Sequence, residues 1–508
     1  MNITAKCKTG TYIGHVLENN IVEFLGIPYV KPPQRWKKAE PLPPSDKVFE
    51  AKENAAPCYQ RSCVENWDVA PQMSEDCLTL NVWTADPDVK GKPVLVFIHG
   101  GSYMTGCNRT DFFNGIYCGD KFVEASPDIV YVNINYRINI FGCLDLTEFD
   151  ENGEYKDSSN LQTLDQIAAL KWIHENIEGF GGDPENITIS GQSAGGMSVA
   201  ILMSLPEANQ YFKRVICQST ALSDTMLKYA DKAKSNAKRF YELTGATSLK
   251  DLLNMEPETL LDHALTMAFS GESGDSTFEP KWGDGIFPLN PCEELRKGSA
   301  KHIDLMIGTV SGEFDTIGLS MSDETLKKAG QSIGQFKNIT DDDFTEEYVA
   351  HYEERDRRTA YQDFWNDILL RMGSVCTADA HADGGGNTYM YYMSFVPEGA
   401  KIRPQHCFEI PYTNMKKDNL AYMDINTNEP VQGNKPSAKL ERELHGCWAN
   451  FVRTGNPNGN HIEIQWPIYT SSNKETAVID YNWSVENGVR RKDIEQLLPL
   501  HNGKAQSV

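Results

Sequence analysis

The residues best suited to chemistry lie at 187–196, where Ser193 has a glycine two residues before it and two residues after it. A β-branched run at 187–189 predicts a buried strand, and an apolar run at 197–205 predicts a helix. A serine at such a strand-to-helix turn exposes its hydroxyl, and the glycines let strand and helix pass closely. The pattern therefore predicts a nucleophilic serine for acyl transfer, the alternative being a glycine-rich loop with an incidental serine.

Acyl transfer also needs donors for the oxyanion of the tetrahedral intermediate. An apolar run ends at His99 and continues into a glycine turn, where backbone N–H groups collect at the end of a central strand. We predict an oxyanion hole built from the backbone N–H groups of Gly101, Ser102 and Ala194. The alternative is that these glycines only make a turn.

Strands and a crossover helix must position these groups. Apolar runs predict strands at 78–83, 94–99, 129–136, 305–308 and 388–392, and alternation at 10–22 predicts a small hairpin. Helical spacing of apolar residues between 160 and 182 predicts a helix that leads to the strand before Ser193. This alternation predicts an α/β protein with a doubly wound, mostly parallel sheet. Helical periodicity predicts largely helical insertions at about 224–280 and 322–373.

Charge and composition argue against several partners. The net charge is −23 and no Lys/Arg cluster is long enough to bind phosphates, so neither nucleic acid nor an anionic membrane is expected. The first residues lack the apolar core of a signal peptide, and no run reaches a membrane span, which favours a cytoplasmic protein unless a leader was removed. The twelve cysteines are scattered, so no metal site is predicted. The oligomeric state cannot be read from the sequence.

Several blocks in order resemble the signature of the type-B carboxylesterase family. They lie at 24–29, 75–83, 99–101, 135–137, 180–189, 191–196, 448–451 and 454–458. The resemblance covers nearly the whole chain. It implies the α/β-hydrolase fold, with a large mostly parallel central sheet, flanking helices and helical insertions over the active site. It also implies one domain over 1–508, no cofactor and a small-molecule ester as substrate.

Carried over residue by residue, the resemblance implies the acid at Glu313 and the base at His406. The order Ser193, Glu313, His406 is the one expected of the fold. His406 would take the proton of Ser193 during attack on the ester, Glu313 would orient the imidazole, and water would later hydrolyse the acyl-enzyme. Without the resemblance, His381 and His445 would compete with His406.

This sequence departs from the family pattern in three ways. Ser102 stands for the usual third glycine of the oxyanion turn, Tyr103 for a phenylalanine, and Gln192 for the usual glutamate before the nucleophile. The substitution at 102 gives one oxyanion donor a side chain. A disulfide between Cys58 and Cys77 stays undecided because Cys63 is a rival partner.

The resemblance also bears on residues away from the triad. It implies buried ion pairs for Arg35 with Glu75 and for Arg137 with Asp165, which we interpret as architectural. Trp67, ten residues before Cys77, has roughly the position of a choline-stacking tryptophan in cholinesterases. A single aromatic is a poor cation site, so choline specificity is not predicted.

Three functions are compatible with these observations. The first is a serine carboxylesterase for small or medium neutral esters. The second is a binding or adhesion protein that has lost the nucleophile, against which the intact Ser193, Glu313 and His406 count. The third is an amidase or carbamate hydrolase with the same triad. The identity of the ester is not encoded in any readable motif.

Overall fold

A computed structural model describes residues 3–61, 72–222, 230–269, 278–284, 286–287, 289–315, 322, 324–325, 328, 356–397, 403–419 and 437–501. The chain divides into two compact units. The first comprises Met1–Ile189, Leu205–Lys213 and Leu227–Asn290, and the second comprises Ser190–Ser204, Arg214–Met226 and Pro291–Val508. The prediction of a single domain over 1–508 stays a prediction.

In chain order the strands are β1 Ile3–Cys7, β2 Gly10–Val16, β3 Val22–Pro28, β4 Val48–Glu50, β5 Thr79–Thr84, β6 Lys92–Ile98, β7 Val130–Ile134, β8 Gly182–Gln192, β9 Arg214–Gln218, β10 Asp304–Val310, β11 Thr388–Met393, β12 Glu475–Ile479 and β13 Ser484–Asn487. All six predicted strands, including the one before Ser193, are present, with bounds that differ by a few residues. The predicted hairpin is part of a larger meander, because β2 pairs with β1 as well as with β3.

The described α-helices are α1 Asp120–Ala125, α2 Asn139–Gly142, α3 Leu161–Asn176, α4 Ala194–Ser204, α5 Pro206–Asn209, α6 Ala230–Thr244, α7 Leu249–Asn254, α8 Pro257–Phe269, α9 Pro291–Arg296, α10 Arg357–Asn366, α11 Met372–Asp383, α12 Glu409–Thr413, α13 Ala438–Thr454 and α14 Arg491–His501. Short 3₁₀ turns lie at Phe112–Gly115, Ser158–Asn160 and Ile177–Phe180, and a π-helical turn at Asp367–Arg371 joins α10 to α11. No described helix has the length and apolar composition needed to span a bilayer.

In the first unit the strand order is β1-β2-β3-β5-β7-β6-β8, with β4 beside β2. The strands from β1 to β5 and from β5 to β7 pair antiparallel, and β6 pairs parallel to β7. Every residue of β5 and β7 is buried, including the polar Asn81 and Asn133, so both strands are covered on both faces.

Helix α3 is the predicted crossover helix and packs against the start of the sheet. Its Trp172 ring contacts the Tyr12 ring edge-on at 6.1 Å between centroids, and the indole N–H donates to Thr9 Oγ1 at 3.1 Å. The ring contact buries a large apolar side chain, and the hydrogen bond satisfies the indole N–H. Together they fix the position of α3 against β2.

Both predicted ion pairs form in the first unit. Arg137 and Asp165 make a bidentate pair, with Nε–Oδ2 at 2.7 Å and Nη2–Oδ1 at 2.6 Å, and their side chains are 3% and 0% exposed. Arg35 pairs with Glu75 at 2.9 Å from Nε and also donates to carbonyls of residues 252, 253 and 255. Each guanidinium ties distant segments together, which supports the architectural interpretation.

In the second unit β9, β10, β11 and β12 are parallel neighbours, and β13 adds an antiparallel edge. Leu305 of β10 lies opposite Val215 of β9 and Thr388 of β11. Parallel strands end at the same edge, so residues that follow β9 and β10 meet there.

The described parts of both predicted insertions are helical. Helices α6, α7 and α8 lie within 224–280. Within 322–373, helix α10 and the π-helical turn lie among the described residues, and most of the remainder lies outside them.

Candidate active site

Ser193 occupies a strained turn between β8 and α4. Strand β8 ends at Gln192 and α4 begins at Ala194, so one residue makes the reversal. Ser193 has φ +60°, a left-handed conformation that costs a residue with a side chain about 1–3 kcal/mol. Its N–H donates to the carbonyl of Gln218 at 2.9 Å, which holds the turn against the end of β9. The predicted strand–turn–helix context is confirmed, and the half-buried serine lies at its apex.

The glycines of this turn are required by space. A Cβ on Gly191 would lie 2.2 Å from the carbonyl oxygen of Gly195, and a Cβ on Gly196 would lie 2.5 Å from that of Gln218. Both neighbours are backbone atoms and cannot move aside. Gly191 of the predicted pattern therefore meets a steric requirement, and Gly196, which directly follows that pattern, meets another.

Glu313 lies three residues beyond the end of β10, and its side chain is fully buried. Oε1 accepts hydrogen bonds from Ser219 Oγ at 2.7 Å and from the N–H of Val310 at 3.0 Å. Oε2 lies 2.6 Å from His406 Nδ1. Three donors surround the carboxylate, so both of its oxygens have hydrogen-bond partners.

His406 is held by both its backbone and its ring. Its N–H donates to the carbonyl of Glu313 at 2.9 Å, and the ring lies 5.1 Å from that of Phe314. Because an ionised carboxylate only accepts hydrogen bonds, Nδ1 carries the proton in the contact with Glu313. The lone pair of the neutral ring is then on Nε2, and the side chain keeps 18% exposure, as a general base requires.

The loops that carry Glu313 and His406 are joined by a second set of charges. Arg403 Nε lies 2.7 Å from Asp315 Oδ2, and Arg403 Nη1 lies 2.5 Å from Asp363 Oδ1. Burial disfavours the charged guanidinium, but hydrogen bonds and charge from Asp315 and Asp363 outweigh it and raise the pKa of Arg403. This pairing fixes the separation between the two loops.

The amide of Gln192 lies over the face of the His406 ring, within 3.3 Å of both ring nitrogens. Gln192 Nε2 lies 3.1 Å from His406 Nε2, whereas the Ser193 hydroxyl makes no hydrogen bond to the ring. The Gln192 Oε1 atom accepts from Cys407 Sγ at 2.9 Å. The structure thus brings Glu313 and His406 into contact, and among the described residues it shows no hydrogen bond from the Ser193 hydroxyl to either side chain.

Sequence reasoning missed the partners that surround the triad. Besides Ser219, the structure places Glu409 close by, fully buried, with Oε1 accepting from the Tyr391 hydroxyl at 3.1 Å. Burial, followed by the charge of Glu313, raises the pKa of Glu409 to about 7. One signal could have found Ser219, because it directly follows a strand that ends at the active edge of the sheet.

The predicted oxyanion donors lie in different units. Ala194 opens α4, so its N–H has no acceptor one turn earlier in the helix and lies at the positive end of the helix dipole. In the first unit, Gly101 has φ +106° and Ser102 has φ +55°, and the N–H groups of Met104 and Thr105 both donate to the Gly101 carbonyl. The Gly101 carbonyl is thus engaged within the turn. Within the described residues the N–H groups of Gly101 and Ser102 have no acceptor.

The competing histidines have structural partners. Burial lowers the pKa of His381 to about 4, and its ring bonds to Thr388 Oγ1 at 2.8 Å. His445 is buried and bonds through Nδ1 to the carbonyl of Thr413 at 3.0 Å. Neither is bonded to a carboxylate through these contacts, so His406 remains the candidate base.

The cysteine and tryptophan candidates are only partly described by the structure. Cys58 and Cys77 are buried free thiols, and hydrogen bonding to Cys58 together with burial raises the pKa of Cys77. Cys63 and Trp67 lie outside the described residues. Among the described side chains no group of three His, Cys, Asp or Glu residues is arranged to hold a metal ion.

Comparison with known proteins defines the class. The family model described as "Carboxylesterase family" matches residues 3–497, and the chain therefore belongs to the carboxylesterase family. It is a carboxylic ester hydrolase of the α/β-hydrolase fold, as predicted. The adhesion and amidase alternatives are not favoured by these findings.

Individual relatives refine the comparison. The chain is 32% identical over 499 residues to para-nitrobenzyl esterase of Bacillus subtilis, covering 95% of this chain and 96% of that protein. It is 29% identical over 497 residues to liver carboxylesterase of Sus scrofa, covering 89% of this chain and 84% of that protein. A crystal structure of a Geobacillus stearothermophilus carboxylesterase at pH 6.2 superposes with a TM-score of 0.81 at 30% identity, covering 97% of this chain and 99% of that one.

Proposed function

We propose that this enzyme hydrolyses small or medium neutral carboxylic esters through an acyl-enzyme on Ser193, with Glu313 and His406 completing the triad. The observation that carries the proposal is the 2.6 Å contact between His406 Nδ1 and Glu313 Oε2, beside a turn that holds Ser193 at φ +60°. This arrangement leaves the lone pair of Nε2 as the base and the serine hydroxyl at the apex of the turn.

The first half-reaction acylates the serine. His406 Nε2 takes the hydroxyl proton as Ser193 Oγ attacks the ester carbonyl, and the buried Glu313 carboxylate stabilises the imidazolium that forms. The oxyanion of the tetrahedral intermediate accepts hydrogen bonds from the N–H groups of Ala194, Gly101 and Ser102. Each such donor contributes on the order of 10²–10³ in rate in well-studied sites.

The second half-reaction restores the enzyme. The imidazolium of His406 gives its proton to the leaving alcohol oxygen as the C–O bond breaks, which leaves an acyl ester on Ser193. Water then attacks that ester, again losing a proton to His406, and the carboxylic acid departs while Ser193 regains its proton. No step requires a metal or an organic cofactor.

The setting that we propose for the enzyme is the cytoplasm, without nucleic acid or a membrane as partner. The net charge of −23 supports the absence of polyanionic partners. The scattered positions of the twelve cysteines support a compartment in which they remain thiols.

A burst assay tests the proposal. Wild-type enzyme should release p-nitrophenol in a burst from p-nitrophenyl acetate and butyrate, and a fluorophosphonate probe should add its mass to the peptide that contains Ser193. Ser193→Ala should lose both signals, whereas Ser472→Ala, at an exposed serine, should keep them. Folded wild-type protein with neither turnover nor labelling would overturn the proposal.

A further inference from the structure

The amide of Gln192 is clamped between a thiol and the ring of the candidate base. Its side chain belongs to a residue that is 1% exposed, so the amide has no alternative partner in bulk solvent. Oε1 accepts from Cys407 Sγ at 2.9 Å, and Nε2 lies 3.1 Å from His406 Nε2 and 3.3 Å from His406 Nδ1. The contacts run from the Cys407 thiol through the Gln192 amide to the His406 imidazole.

Cys407 determines which end of the amide faces the ring. A thiol is a donor, so it pairs with the carbonyl oxygen of Gln192 and turns the NH₂ group toward His406. Cys407 itself has φ +72°, a conformation that glycine adopts without strain and that a residue with a Cβ does not. The chain therefore keeps a thiol at a position where the backbone alone favours glycine.

The orientation of the amide discriminates between the two protonation states of His406. Nδ1–H is engaged by Glu313, and Gln192 Nε2 lies 3.1 Å from Nε2 and 3.3 Å from Nδ1, so the NH₂ group lies over the face of the ring rather than in line with the Nε2 lone pair. The NH₂ group carries partial positive charge, so it is compatible with the neutral ring and is repelled by the imidazolium.

We propose that Gln192, oriented by the Cys407 thiol, is a positioning residue that favours the neutral, base form of His406 and so extends ester hydrolysis to lower pH. This inference rests on the proposed function, since it assigns His406 as the base. A glutamate at 192 would act in the opposite direction, because a carboxylate beside the ring stabilises the imidazolium.

Other titratable groups face the same ring and must be separated from Gln192. Glu313 contacts Nδ1, Glu409 lies buried behind it with its pKa raised to about 7 by burial, and Tyr391 donates to Glu409. Arg403, three residues before His406, is engaged by Asp315 and Asp363. Glu409 titrates in the same range as the acid limb of a histidine-dependent rate, so each Gln192 measurement is repeated in a Glu409→Gln background.

The experiment is the pH profile of kcat/KM with p-nitrophenyl acetate for four variants. Gln192→Glu should move the acid limb of the kcat/KM profile to higher pH by roughly one unit or more, in the wild-type and in the Glu409→Gln background. Cys407→Gly should move it in the same direction by less, because the released amide can turn Oε1 toward the imidazolium. Cys407→Ser retains a donor and should keep the wild-type limb. Cys7→Ser, at the other half-buried cysteine among those described, is the control.

A second readout separates positioning from a structural role. Glycine relieves the left-handed strain at 407, so Cys407→Gly should raise the melting temperature while the acid limb moves to higher pH. A stability change with an unmoved limb in Cys407→Gly and in Gln192→Glu overturns the inference. If Gln192→Glu fails to fold, the acid limb of Cys407→Gly alone tests the inference. Wild-type protein without turnover or Ser193 labelling would instead overturn the proposed function.

Discussion

The hydroxyl of Ser219 donates to Glu313 Oε1 at 2.7 Å, while His406 Nδ1 lies 2.6 Å from Oε2 of the same carboxylate. Ser219 follows β9 and Glu313 follows β10, and these strands are parallel neighbours. The carboxylate is therefore held from the sheet on one side and presents its second oxygen to the imidazole on the other. The orientation of the Glu313 carboxylate therefore depends on Ser219 as well as on His406.

Ser219→Ala should lower kcat/KM by roughly ten- to a hundredfold with KM nearly unchanged. A hydrogen bond to a charged group is worth about 1.5–3 kcal/mol, and its loss frees the Glu313 carboxylate to leave the orientation that His406 needs. Steady-state kinetics with p-nitrophenyl butyrate measure the change, with Ser472→Ala as the exposed-serine control. Unchanged kcat in a folded variant would show that Val310 and His406 hold Glu313 without Ser219.

Gly196→Ala should destabilise the fold and abolish ester turnover. The added Cβ would lie 2.5 Å from the carbonyl oxygen of Gln218, the atom that accepts from the Ser193 N–H. Overpacking of this kind costs about 1–3 kcal/mol and would displace the turn that presents Ser193. Gly153→Ala is the comparison, since Gly153 has φ +70° with open space around it and tests conformational strain alone. Equal denaturant midpoints for the two variants would contradict the steric explanation.

Asp165→Ala should lower the free energy of unfolding by about 3–5 kcal/mol, because it leaves the Arg137 guanidinium buried without its partner. The control is Glu175→Ala, which breaks the pair between Lys8 and Glu175, whose side chains are 53% and 35% exposed. That change should cost no more than about 1 kcal/mol. Urea unfolding followed by tryptophan fluorescence measures both. A similar cost for the two variants would mean that water reaches Arg137.

Glu409→Gln should make the protein more stable than wild type above pH 7. Burial, and then the charge of Glu313, raises the pKa of Glu409 from 4.5 in the unfolded chain to about 7 in the folded chain. Between these values the folded state holds a proton that the unfolded state has lost, so wild-type stability falls as pH rises, at about 1.4 kcal/mol per pH unit. The glutamine variant has no such proton to lose, so its stability does not fall with pH in this way.

The measurement is the difference in unfolding free energy between Glu409→Gln and wild type at several pH values. The difference should be flat below about pH 4.5, change in favour of the variant up to about pH 7 and be flat again above it. A constant difference across the range would show that the pKa of Glu409 is the same in the folded and unfolded states.

The sequence by itself determined the local features of this protein. Gly191 before Ser193 and the turn at Gly101 follow from steric limits that act between near neighbours in the chain. The apolar runs of β6 and β7 follow from burial on both faces. These features could be read because every constraint lies within one strand, turn or helix. Glu313 and His406 were proposed through the family resemblance, since many carboxylates and histidines are locally indistinguishable from them.

The tertiary structure decided what surrounds the triad. Ser219 and Glu313 are separated by 94 residues, and Gln192 and Cys407 by 215. No local pattern links such residues, because their contact arises only when neighbouring strands bring their carboxyl ends to one edge of the sheet. The same holds for Glu409, which has an ordinary carboxyl in sequence and acquires its raised pKa from burial beside Glu313. Hydrogen bonding and charge act through space, so the protonation chemistry of the site was fixed by packing.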